Sequence, residues 1–92
     1  MSSYVHGDLV EVVSFPGVVW EIESFRFGTS GEPTIICLMF WGGDRSTLST
    51  AEERKLWKER LGGRPFEIQR DKVRRPNEML VLALAAKRRD DS

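Results

Sequence analysis

The sequence predicts a mainly β domain, a small β-barrel with helices added, and three observations predict it. Short runs in which apolar and polar residues alternate recur along the chain. Glycine, proline and other turn formers separate most of them. The 92 residues leave little chain between one run and the next. Short strands joined closely in this way favour a small closed or semi-closed barrel over a sandwich. A chain of this length makes one domain, residues 1–92, with the barrel over about 7–76 and a C-terminal helix over about 78–89.

The first strand is read at residues 8–13, where Val10 and Val12 alternate with Glu11 as on a half-buried strand. Pro16-Gly17 marks a turn. The second strand, 18–25, puts Val18, Trp20 and Ile22 on one side and Glu21 and Glu23 on the other. Residues 28–33 hold turn formers and read as a loop. The third strand, 34–41, is apolar on both faces, as a strand is when it is covered twice or offers one face for interaction. Phe66 and Ile68 alternate with Glu67 and Gln69 in the fourth strand, and 72–76 supplies a short fifth, with Pro76 at its edge.

A helix lies between strands three and four. Ser49 or Thr50 caps it, because Glu52 and Glu53 each stand three residues on. Gly62-Gly63 stops it. The line Glu53, Trp57, Leu61 is expected to face the barrel. Asn77 suits the cap of the C-terminal helix, with Glu78 in its first turn and Lys87, Arg88 and Arg89 in its last. A strand over 79–84 competes; Ala83, Ala85 and Ala86 favour the helix. Its apolar run, 79–86, goes nearly all round, so the helix is expected to be buried, on its own barrel or on a second chain.

Gly7-Asp8-Leu9-Val10 followed by Phe15-Pro16-Gly17-Val18-Val19-Trp20-Glu21-Ile22 resembles the opening of SH3-like barrels of the Tudor, PWWP and KOW type. Cys37-Leu38-Met39-Phe40-Trp41-Gly42 resembles their third strand, and residues 66–76 resemble their close. The resemblance covers about 7–43 and 64–76, with the helix around Trp57 as an insertion. The PWWP tetrad itself is replaced by Phe15-Pro16-Gly17-Val18. The first strands are also similar to the RNA-polymerase-interacting module of bacterial CarD-type regulators. The resemblance implies an SH3-like barrel, a fourth strand followed by one turn of tight helix and a short last strand, and a binding role near transcription or another nucleic-acid machine.

Composition excludes several function classes. His6 is the single histidine and Cys37 the single cysteine, the latter inside the apolar third strand. A buried thiol there is inert, and the pair makes no metal site. No glycine-rich phosphate loop is present, because Gly42-Gly43 and Gly62-Gly63 lack the spacing and the lysine. No enzyme activity, metal or cofactor is expected. The first residues carry no leader signature and no apolar stretch approaches a membrane span, so a cytoplasmic protein without membrane contact is expected.

Fourteen basic and fourteen acidic residues balance. Residues 1–48 hold two basic and six acidic groups, and 49–92 hold the reverse excess. Such neutrality argues against a general polyanion binder, while leaving room for a local patch.

The expected function is a non-catalytic binding module, with another protein as partner. Trp41 at a strand end, Trp57 on the inserted helix, and Leu80, Leu82 and Leu84 on the C-terminal helix are its candidate contacts. Direct DNA or RNA binding is the second reading, through Arg64, Arg70, Lys72, Arg74 and Arg75. A subunit that oligomerises, as a homodimer for example, through the C-terminal apolar helix is the third. Phe15, Trp20, Phe25, Phe27, Phe40 and Trp41 near Glu21 and Glu23 either cage a methylated amine or fill the core.

Overall fold

The computed structural model describes residues 4–31, 34–44 and 48–90. The end of the 28–33 loop and the last two residues of the chain therefore lie outside the described residues. Five strands, β1 (Leu9–Val12), β2 (Val18–Arg26), β3 (Ile35–Gly43), β4 (Phe66–Gln69) and β5 (Val73–Arg74), form one antiparallel sheet in the order β4-β3-β2-β1-β5. Two α-helices complete the fold: α1 (Thr50–Arg60) between β3 and β4, and α2 (Glu78–Asp90) after β5.

The expected barrel is not closed. β4 and β5 are the two edges of the sheet, and no ladder joins them among the described residues. A three-residue 3-10 turn, Arg70–Lys72, nevertheless carries the chain from one edge to the other. At about 2 Å per residue, so short a turn requires the sheet to curl until its edges approach. Two register shifts between β2 and β3, at Val19/Trp20 and Ile22/Ser24, supply bends of the kind that curling needs.

The alternation read in β2 sets the inner face. Val10, Val12, Val18, Trp20, Ile22, Ile36, Leu38 and Val73 form the core. Trp20 is its centre, with Trp57 at 5.0 Å and Phe66 at 4.9 Å between ring centroids. The Trp20 indole nitrogen is buried without an acceptor among the described residues, so the ring is held there by apolar and aromatic packing and not by a hydrogen bond.

The outer face carries a second, smaller layer. Glu11, Val19 and Gly42 lie in one cross-strand row and all three are buried. α2 lies over this row: the Leu84 Cβ comes within 3.4 Å of where a side chain on Gly42 would begin. The period-two pattern of β1 placed Glu11 in solvent; it is 4% exposed. Its carboxylate is covered by the start of α2, accepting from the Asn77 N–H at 3.1 Å and from the Arg74 guanidinium at 3.4 Å.

The helix ends follow the chain's local signals. Ser49 and Glu52 form a reciprocal capping box on α1, worth about 1 kcal/mol. At the other end Gly62 and Gly63 take φ of 65° and 78°. Their amides donate to the carbonyls of Glu59 and Lys58, the paired closure that only a left-handed residue permits. Asn77 caps α2 by accepting from the Met79 N–H at 2.8 Å. The line Glu53, Trp57, Leu61 does turn inward.

α2 corrects one expectation. It is not buried all round: Leu84 is 2% exposed, whereas Met79 and Leu82 are 74% and 64% exposed. A helix resting on one face of one sheet buries a single stripe, and nothing else among the described residues covers its far side.

Candidate interaction surface

β3 outruns its neighbour. β4 pairs with residues Ile35 to Leu38 only, so among the described residues β3 has no strand on that side from Met39 onward. Two carbonyls of this stretch are taken by cations from the last turns of α2. The Arg88 guanidinium donates to the Trp41 carbonyl at 2.6 Å, and the Lys87 ammonium to the Gly43 carbonyl at 3.0 Å. Charged side chains thus blunt an edge that would otherwise invite another strand.

Lys87 also reaches α1. Its ammonium lies 2.5 Å from the Glu53 carboxylate, which is almost wholly buried. A Cβ on Gly43 would come within 2.6 Å of that carboxylate, so glycine here gives the acid its space. One buried ion pair therefore ties α1, β3 and α2 together. Removing either partner would strand a charge in a low-dielectric setting.

A cleft of about 500 Å³ opens between α1 and the far part of β3. Leu38, Phe40 and Leu61 give it apolar walls, and Trp41 and Trp57 line it together. Trp41 faces two ways, because it also lines a shallower hollow with Leu82 and Ala85 of α2. The Arg88 guanidinium stacks on the Trp41 ring at 4.8 Å, in the place where a caged cation would sit.

The candidate protein contacts separate accordingly. Trp41 and Trp57 share the cleft, and Trp41 and Leu82 share the hollow. Leu80 is half-buried, and Leu84 is spent on Gly42. The aromatic residues considered as a cage are dispersed. Trp20 fills the core, Phe15 packs edge-on against Trp57 and Phe66, and Phe25 stacks on Phe27 elsewhere.

Of the five basic residues, Arg64 alone lines the cleft. It lies before β4, whereas Arg70 and Lys72 follow that strand. Arg74 is bound to Glu11, and Arg75 pairs with Asp8 at 3.2 Å. The Asp8 carboxyl is held below the usual aspartate range chiefly by the Val5 N–H and further by Arg75, against an opposing effect of desolvation.

A feature invisible in the local sequence appears at this end. Tyr4 lies under the guanidiniums of Arg75 and Arg70, at 4.7 and 5.7 Å from its ring centre, beside Phe25 and Phe27. The only signal for it was a lone tyrosine near the start of the chain.

Among the described residues no group of three or more histidine, cysteine or acidic side chains converges as a metal site. No helix among them is long and apolar enough to cross a membrane. Cys37 is buried, as its apolar surroundings in the sequence required. Set against known proteins, the chain matches no family model, no curated protein and no solved structure.

Proposed function

We propose that the chain is a non-catalytic binding module of the SH3-like, Tudor/KOW type, and that it serves transcription or another nucleic-acid machine by holding a protein partner. The strand order β4-β3-β2-β1-β5 and the 3-10 turn before β5 support the architecture. A fourth strand, one turn of tight helix and a short last strand are what the resemblance implied for the close of the domain. The observation that carries the binding role is the apolar surface on either side of Trp41. Met39 is 40% exposed and Leu82 is 64% exposed, and Trp41 lines a hollow on each side. Apolar surface gathered around one aromatic residue is a common sign of an interaction site.

The test is capture from an extract of the source cells with the full chain, compared with Trp41→Ala and Leu82→Glu variants whose circular dichroism is unchanged. A protein held by the parent and lost by both variants supports the reading. Capture that ignores both substitutions overturns it. A dimer in sedimentation that Leu82→Glu dissociates would instead make the partner a second copy of the chain.

The Tyr4, Phe25 and Phe27 cluster beside Arg70 and Arg75 favours a second reading, direct nucleic-acid binding by stacking and charge. Retention on heparin that falls on Arg70→Glu would support it. The pairing of Arg74 and Arg75 with acids places it behind the first.

A further inference from the structure

We infer that the cleft between α1 and residues 39–41 of β3 takes an acidic peptide segment carrying one apolar anchor. This names the chemistry of the partner and rests on the protein-binding reading above. The cleft has apolar walls for the anchor, and its rim carries the charge of α1.

The charge is cationic because of how α1 spends its acids. Of its three acids, Glu52 is used in the capping box, Glu53 is buried against Lys87, and Glu59 does not line the cleft. Arg54 and Lys58 stand four apart on one face of the helix, and Arg64 follows in the next loop; all three line the cleft. None of the three makes an ion pair among the described residues, whereas Arg26, Arg74, Arg75 and Lys87 all do. Lys55, Arg60 and Lys72 make no such pair either, but only Arg54, Lys58 and Arg64 combine that freedom with a place beside the apolar walls.

Glu21 and Glu23 of β2 also line the cleft. They repel a ligand charged all round, such as a nucleic-acid backbone. They tolerate an extended peptide whose acids sit at alternate positions and face α1. Charge complementarity of this kind acts mainly through specificity and encounter rate.

The experiment titrates the full chain with three synthetic peptides of about ten residues, an extended length of about 33 Å. All three share a central leucine, flanked at alternate positions by glutamate, serine or lysine. Fluorescence of the cleft tryptophans and NMR shifts of cleft amides report binding. The glutamate peptide is expected to bind about tenfold more tightly than the serine peptide, with the lysine peptide weakest.

A Lys58→Glu/Arg64→Glu variant should lose that preference, and a Glu21→Gln/Glu23→Gln variant should strengthen it. Equal binding of the three peptides, no binding of any, or a preference that survives charge reversal overturns the inference. Tighter binding of oligothymidine to the same amides overturns it too. If the peptides fail while Trp41-dependent capture persists, only the acidic chemistry falls. If both fail, the protein-binding reading falls as well.

Discussion

The two helices invert what their compositions promise. α1 is charged along most of its length, yet it sets Trp57 against Trp20 and turns Leu61 and Glu53 inward. α2 is apolar along most of its length, yet it commits Leu84 to the sheet and leaves Met79 and Leu82 in solvent. A sparse apolar line is sufficient when a helix meets a core through a large aromatic ring. A broad apolar surface exceeds what one sheet face covers, and the excess is available for another molecule.

That contrast can be broken by substitution, read as urea-unfolding free energies. Trp57→Ala should cost about 4 kcal/mol, because it empties the space between Trp20 and Phe15. A loss below 1 kcal/mol would mean that α1 is not part of the core. Leu84→Ala should cost about 3 kcal/mol as its contact with Gly42 is lost.

Lys87→Ala should cost about 2 kcal/mol, since the buried Glu53 loses its partner while solvent at the part-exposed lysine softens the penalty. A Glu53→Gln/Lys87→Met variant should recover most of that loss; failure to do so would mean that Lys87 acts through the Gly43 carbonyl. Leu82→Ala should lie within about 0.5 kcal/mol of the parent, as expected of a side chain that touches nothing essential. A larger cost in sedimenting monomer would show that the outer face of α2 is not spare.

Local order was legible in the sequence wherever a short-range rule governs it. The strands of Val18, Trp20 and Ile22, the cap at Ser49, the stop at Gly62-Gly63 and the cap at Asn77 all follow from neighbours within a few residues. Glu11 shows where that legibility ends. Its alternation with Val10 and Val12 reads as exposed, but the residues that cover it arrive more than sixty positions later, Arg74 and Asn77. Tyr4 beneath Arg75 and Arg70 and the cleft cations are of the same kind. They are set by the curl of the sheet, which no window of sequence contains. Trp41 and Trp57 were expected contacts separately; that they share one cleft is a property of the fold.

The 3-10 turn between β4 and β5 also bears on the order of events in folding. The β1-β2-β3 meander pairs neighbours in sequence, whereas the pairing of Glu11 with Arg74 must close a loop over most of the chain. Loop-closure entropy places such a contact late. Val73 and Asn77 should therefore show φ-values near zero while Ile22 and Leu38 show higher ones. The final step would then be the desolvation of a single carboxylate, that of Glu11, as β5 and the start of α2 settle over it. A molecule caught before that step would expose an acidic, half-finished sheet edge, and its lifetime would set how readily the chain aggregates during synthesis.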